Sequence, residues 1–431
     1  MIGVIADDTT GALDIGTMFR RAGRGVQMFT GLPNGPLPPA DVTIIDTDSR
    51  LDSRAEAYAR VFAAARFLRG AGCNYFHKKT CSVFRGNIGA EFDAVLDALQ
   101  CPHAIVSLAY PLLGRTTKGG LHFLKGLPLE ATAFARDPVH PRRHSQLREY
   151  LAEQSSRPSI SVPLERVRAG PAALRKTLET LARTHSYMIV DGENQDDLRV
   201  LAEAAAGFAV FGGSAGIAAE WPRPDVAPPL DQNQEPELPS SSAGILFVCG
   251  SLTPQSIVQV AQLRATGIAE AQLQPVAALN GMDVTTWAEG AAERAAHKLR
   301  RGEGFLFSTP QDFAAVQEAQ ASARRKGMDE ACLGREISRC LGLAVERTFA
   351  RIEPSALVVA GGDTSGAVCR RLRITGFRLL NEIESGVPLC VALGRPLLVV
   401  LKSGSFGSDE FLIQAAEQAR SVRSPRSTVS S

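Results

Sequence analysis

Short apolar runs recur along this chain, separated by polar, glycine-bearing turns. Residues 2–6, 26–30, 42–45, 104–108, 187–190 and 208–211 form runs of four or five residues rich in Ile, Val and Phe. That length and composition predict buried strands. Residues 74–79, Asn-Tyr-Phe-His-Lys-Lys, predict a further strand. Between the runs lie segments with helical spacing, at 12–22, 53–68, 88–99, 172–184 and 196–206. Gly23 and the pair Gly70 and Gly72 stand where two of these helices would stop. Strands alternating with helices predict a mainly parallel sheet covered on both faces. A second set follows, with strands at 244–249, 304–308, 356–360 and 397–401 and helices near 254–263, 334–352 and 409–420.

Residues 222–242 break the pattern. Prolines at 222, 224, 228, 229, 236 and 239 and a serine run have the composition of an exposed linker. The expected organisation is a domain at 1–221, a linker at 222–242, a second domain at 243–420 and a polar, disordered tail at 421–431. The fold class is α/β, with each domain a mainly parallel sheet flanked by helices. Residues 120–141 read as irregular and charged, either a lid or plain surface.

In parallel sheets, ligands bind beyond the carboxyl ends of the strands. The polar residues of the first domain fall there. Asp7 and Asp8 follow the first strand, Asp48 and Arg50 the third, and Lys78, Lys79, Ser82 and Arg85 the fourth. Arg115, Thr116, Thr117 and Lys118 come shortly after the fifth. Several cations suit an anionic substrate, and the carboxylates suit hydroxyls or a metal. Strand-end loops are polar in most proteins, so no single residue carries this reading; the set does.

In the second domain, Ala356-Leu357-Val358-Val359-Ala360 leads into Gly361-Gly362-Asp363-Thr364-Ser365-Gly366. A strand, a glycine turn and a helix start present free N–H groups and a positive helix end to one point. Thr364 and Ser365 are candidate caps for a helix beginning near Gly366. Alone, this stretch fits an anion site and an ordinary turn equally well. Gly250-Ser251 and Ser403-Gly404-Ser405-Phe406-Gly407 repeat the arrangement, and three such elements favour a phosphate-bearing ligand. Gly212 to Gly216 in the first domain is a further glycine-rich turn, for an anion or for close packing. No G-x-x-x-x-G-K-[ST] occurs, so this is not a P-loop enzyme, and no complete G-x-G-x-x-G supports a nicotinamide dehydrogenase.

Composition narrows the classes further. Lys and Arg number 47 against 45 Asp and Glu, without a basic tract, so nucleic acid is not an expected partner. Two acids by residue 8 interrupt any signal-peptide core, and no apolar run approaches a membrane span. The eight cysteines include no C-x-x-C and read as reduced thiols in a cytoplasmic protein. His140 and His144 are four apart, but Pro138 and Pro141 argue against a helix and a zinc site. A homodimer is one expectation.

The motifs resemble those of the four-carbon acid sugar kinases, nearly end to end. Ala6-Asp7-Asp8-Thr9-Thr10-Gly11-Ala12-Leu13-Asp14 is similar to that family's A-D-D-x-T-G-A-x-D. Lys79-Thr80-Cys81-Ser82-Val83-Phe84-Arg85-Gly86-Asn87 is similar to its K-T-D-S-T-L-R-G-N. Gly114 to Thr117, Phe134 to Pro138, Gly250-Ser251, Gly361 to Val368, Glu382 to Pro388 and Leu401 to Gly407 fit further blocks. The resemblance implies an acid-sugar-binding first domain, an ATP-binding second domain and an active site in the cleft between them. It implies transfer from ATP, with Mg²⁺, to the 4-hydroxyl of threonate, erythronate or a 2- or 3-oxo-tetronate. By the same resemblance Asp7, Asp8, Arg50, Lys79, Ser82 and Arg85 would hold the acid, with Cys81 among them. Ser251, Gly361, Gly362, Asp363, Thr364 and Gly404 would hold ATP. Asp8 and Asp363 are the candidate bases, and no metal ligand is assigned.

Cys81 and Val83 depart from the family's Asp and Thr. They predict an altered acceptor specificity, or a non-catalytic homologue that binds nucleotide and a different small acid. Closure of the domains about the linker would exclude water.

Overall fold

The computed structural model describes residues 1–35, 37–136, 145–220, 238, 241–310 and 312–423. Most of the linker stretch, Asp137, Pro138, His140, Pro141, His144 and the tail from 424 lie outside the described residues. The chain divides into two compact units, Met1–Asn233 and Gln234–Ser431.

Among the described residues, eleven strands belong to the first unit: β1 (Ile2–Ala6), β2 (Val26–Thr30), β3 (Val42–Asp46), β4 (Tyr75–Lys79), β5 (Ala104–Ser107), β6 (Arg115–Lys118), β7 (Leu121–Leu124), β8 (Leu127–Pro128), β9 (Ser159–Val162), β10 (Tyr187–Val190) and β11 (Val210–Gly213). Eight form a parallel sheet in the order β2-β3-β1-β4-β11-β5-β10-β9. β1 is buried along its whole length, as helices on both faces require. Register lines up the strand ends. Ala6 pairs with Asp46 and Lys79, and Gly213 with Lys79 and Ser107. The next residues of each chain segment therefore emerge along one edge.

Helices hold this edge in place. Asp8 caps helix Thr9–Arg21, accepting from Gly11 N at 2.8 Å. A reciprocal Ser53–Glu56 capping box starts helix Arg54–Gly70. Helix Ile88–Leu99 lays Phe92 over β11, where a Cβ on Gly212 would stand 2.1 Å from the Phe92 ring. That close approach accounts for one glycine of the Gly212–Gly216 turn by packing. The helix opened by that turn is one short 3₁₀ segment, Gly216–Glu220.

The second unit holds β12 (Ile245–Cys249), β13 (Ala269–Gln272), β14 (Phe305–Ser308), β15 (Ala356–Ala360), β16 (Gly376–Glu384), β17 (Val387–Ala392) and β18 (Leu398–Lys402). Their order is β13-β14-β12-β15-β18-β17-β16, parallel except where β17 runs against β18 and β16. Cys249, Ala360, Lys402 and Ser308 end in register.

Several regions differ from expectation. The first part of the stretch expected to be irregular, 120–141, is ordered: β7 and β8 join β6 in a small antiparallel sheet. The hairpin of β16 and β17 was not anticipated, nor was helix Val284–Arg300. All eight cysteines are free, and no helix among the described residues is long and apolar enough to cross a membrane.

Beneath the edge of the first unit lies a fully buried ion pair, Lys78 Nζ to Glu91 Oε2 at 2.9 Å. Burial pushes the Glu91 carboxyl upward, against the pull of Lys78. Breaking one side of such a pair strands the other charge. Glu91→Gln is expected to cost about 3 kcal/mol of unfolding free energy in denaturant titrations. Lys78→Met combined with Glu91→Leu should recover most of it; a double variant as unstable as the sum of the singles would contradict this.

Candidate active site

In the first unit, the residues after β1 and β3 meet through Arg50. Its Nε and Nη2 donate to the two carboxylate oxygens of Asp7, each at 2.8 Å, and Nη1 donates to Asp8 Oδ2 at 2.5 Å. Asp7 is fully buried, which would raise its pKa. Arg50, then Lys78 and Lys79, outweigh burial and hold it at about 2. The backbone joins in, with Ser49 N and Arg50 N both donating to the Asp7 carbonyl. Arg50 thus has its guanidinium fork on two aspartates.

Asp8 is more open, with its side chain 23% exposed. Oδ1 accepts from Gly11 N, and Oδ2 from Thr10 Oγ1 at 2.9 Å besides Arg50. Lys79 Nζ donates to the Thr80 carbonyl and stands 3.7 Å from Asp14 Oδ2. Tyr110 Oη donates to the other Asp14 oxygen at 3.1 Å.

The loop after β4 separates the two departures from the family pattern. Val83 is buried against Leu129, with Leu124 and Phe134 packed alongside, so its apolar side chain serves a small core. Cys81 belongs to that cluster too, but its sulfur accepts from Arg85 Nε at 3.4 Å. Burial would raise the thiol pKa, yet Arg50 and Arg85 bring it below the ordinary value. The Arg85 guanidinium lies over the Phe134 ring, 5.1 Å from its centre. Ser82 is held by its backbone: buried His122, on β7, donates from Nε2 to the Ser82 carbonyl at 3.0 Å. That fixes the tautomer, so Nδ1 accepts from Thr117 Oγ1 at 2.9 Å. Asp191, after β10, accepts from Gly119 N and Gly120 N and fastens the turn between β6 and β7.

Sequence reasoning passed over His122 and Asp191, because their partners lie 40 and about 70 residues away in the chain. It passed over Asp46 as well, which ends β3 and accepts from Thr9 Oγ1 at 2.5 Å. Burial drives the Asp46 carboxyl up to about 7.

In the second unit, the three glycine-bearing turns meet. A Cβ on Gly250 would stand 2.2 Å from Thr364 Oγ1, and one on Gly404 would stand 2.2 Å from Ser251 Oγ. Ser251 Oγ is 3.2 Å from Thr253 Oγ1, which caps helix Pro254–Ala265. The helix after β15 begins earlier than expected, at Gly362. Its N-cap is Gly361, at φ +122°, a conformation that excludes most side chains. Thr364 and Ser365 therefore lie inside the first turn and do not cap it. Thr364 Oγ1 pairs with Ser338 Oγ at 3.1 Å, while Ser365 Oγ is buried with no partner among the described residues. Ser365 N makes the first helical bond, to Gly361 O, which leaves the N–H groups of Gly362, Asp363 and Thr364 ahead of it. Gly362 and Asp363 are exposed.

These donors fit a phosphate chain, and the buried orphan hydroxyl beside them fits it too. No group of three or more His, Cys, Asp or Glu is gathered for a metal among the described residues. A magnesium ion is commonly held by one carboxylate with phosphates and water, so Asp363 is the residue suited to meet one.

Comparison with known proteins matches both units. A model of a sugar-binding N-terminal domain covers residues 2–221, and one of a nucleotide-binding C-terminal domain covers residues 246–412. A 3-oxo-tetronate kinase of Pseudomonas fluorescens is 31% identical over 97% of both chains. A D-threonate kinase of Salmonella typhimurium is 30% identical over 96% of both chains. Among solved structures, one from Salmonella typhimurium superposes with a TM-score of 0.85 at 27% identity, covering 97% of this chain and 99% of that one. One from Haemophilus influenzae gives 0.80 at 25% identity, covering 97% and 100%.

Asp46 sets a pH dependence. Its folded pKa of about 7 stands above the ordinary 3.8, so its contribution to stability is complete below 3.8 and is lost as pH rises through 7. Asp46→Asn removes that slope. The unfolding free energy of the variant relative to wild type should grow by roughly 4 kcal/mol between pH 4 and pH 8. Parallel stability profiles would refute the assignment.

Proposed function

From the premise that the chain belongs to the four-carbon acid sugar kinase family, we propose that it transfers the γ-phosphoryl group of ATP to the 4-hydroxyl of a four-carbon acid. Threonate, erythronate and the 2- or 3-oxo-tetronates are the candidate acceptors. The observation that carries this reading is the meeting of three N–H-bearing turns at Gly250, Gly361 and Gly404, in the unit that matches a nucleotide-binding domain.

The acid would lie against Asp8, Lys79, Ser82 and Arg85. Arg50 acts differently from a simple carboxylate clamp, because its fork already holds Asp7 and Asp8. It holds Asp7 ionised and fixes the Asp8 carboxylate in place as an acceptor for a substrate hydroxyl. Asp8 accepts three hydrogen bonds among the described residues, which leaves an acceptor position on Oδ1. A carboxylate so well supplied with donors is a good positioning group. That suffices, since phosphoryl transfer proceeds through a loose transition state with little need for early proton removal.

The hydroxyl oxygen forms its bond to the γ-phosphorus as the bond to the ADP oxygen breaks. The hydroxyl proton passes to Asp8 or to water. The N–H groups of residues 362–364 and the 250–251 and 403–405 turns carry the charge of the phosphates. Asp363 would help hold a magnesium ion, which would supply further positive charge to the phosphates.

Two measurements test this. ATP consumption should appear with at least one acid in a panel of threonates, erythronates and oxo-tetronates. Asp8→Asn should lower kcat about a hundredfold; near-normal turnover in both Asp8→Asn and Asp363→Asn would sink the mechanism. Retained nucleotide binding with no turnover on any acid would favour the non-catalytic reading. Cys81→Asp should reorder the acids, changing the ratio of their kcat/KM values about tenfold or more. The KM for ATP should stay put; an unchanged ranking would remove Cys81 from the specificity set.

A further inference from the structure

One buried cation in the second unit has no assigned role. Lys402 ends β18, is 2% exposed, and has no carboxylate within ion-pair distance among the described residues. A buried ammonium without a counter-charge is costly to keep. Its Nζ donates to the carbonyls of Ser403 at 2.9 Å and Gly404 at 3.1 Å. Ser256 Oγ donates to the same Gly404 carbonyl at 2.9 Å.

Those two bonds dictate where the loop's donors point. In a trans peptide the C=O and the following N–H face opposite ways. Drawing the Ser403 and Gly404 carbonyls inward turns the N–H groups of Gly404 and Ser405 away from the ammonium, and neither has an acceptor among the described residues. Successive free N–H groups in a turn form an anion-binding concavity. Here the Lys402 ammonium lies behind it, held by the Ser403 and Gly404 carbonyls, while Gly404 itself lies against Ser251.

We propose that Lys402 is the positioning residue of the nucleotide-phosphate site: it folds the Ser403–Gly407 loop into an anion cradle and supplies the buried charge that the phosphates neutralise. The proposal rests on the nucleotide-binding reading above. Independently, burial lowers the Lys402 pKa to about 8, while Cys249 and Glu384 pull it upward; Phe411 presents only its ring, 6.0 Å away. An arriving anion must raise that pKa, so binding should take up protons.

The test is calorimetric titration of the full chain with metal-free ADP, in buffers of different ionisation enthalpy. Wild type should take up about half a proton per ADP at pH 8, and more at pH 9. Lys402→Met should bind ADP at least tenfold more weakly, with no proton uptake. It should also raise the KM for ATP while leaving that for the acid unchanged. Lys402→Arg, which keeps a permanent charge, should bind within about fivefold of wild type, again without uptake, and serves if the Met variant fails to fold. Wild-type affinity in a folded Lys402→Met, or no uptake by wild type, overturns the proposal alone. Wild type that binds no ADP overturns the nucleotide reading with it.

Discussion

A parallel sheet covered by helices on both faces leaves only its ends to solvent, and chemistry has to be placed there. The register of the strands decides what that means for this chain. Ala6, Asp46, Lys79, Ser107 and Gly213 end in line in one unit, and Cys249, Ala360, Lys402 and Ser308 in the other. Slipping one strand by a residue would turn its side chains to the opposite face and carry its loop out of line. Fully apolar strands such as β1 and β15 resist slipping less by pattern than by their paired neighbours and covering helices.

The two units then manage charge in opposite ways. The first pairs its buried charges internally, Arg50 with Asp7 and Asp8, and Lys78 with Glu91. Such a network is rigid before any ligand arrives, which suits discrimination among small, similar hydroxy acids. The second leaves Lys402 with carbonyls alone and Ser365 Oγ with nothing among the described residues. Free backbone N–H groups backed by a cation without an ion-pair partner among the described residues would be indifferent to ligand shape and responsive to ligand charge. That suits a phosphate chain, the part of a nucleotide that offers charge and little else.

The legible parts of the fold were those written in local pattern. Unbroken apolar runs marked the central strands, and Ile88 to Leu99 carried a clear helical stripe. Helix Val284–Arg300 escaped because its buried face is mostly alanine, at 288, 291, 292, 295 and 296, which contrasts weakly with its surroundings. β6, β7 and β8 are two to four residues long, too short to show a period. In the site, glycine turns and strand-end charges were visible, and the family motifs identified most of them. Their partnerships were not. Nothing near Arg50 in the chain says that its fork faces Asp7, and nothing near Val83 says that it faces Leu129. Gly361 took the capping position from Thr364 and Ser365 through a backbone angle that side-chain preferences do not reveal.

The contact of Gly250 with Thr364, and of Gly404 with Ser251, has a consequence for descent. Three segments, separated by more than a hundred and by some forty residues of sequence, touch where even one methyl group is too many. A substitution accepted in one turn changes which substitutions the other two can accept.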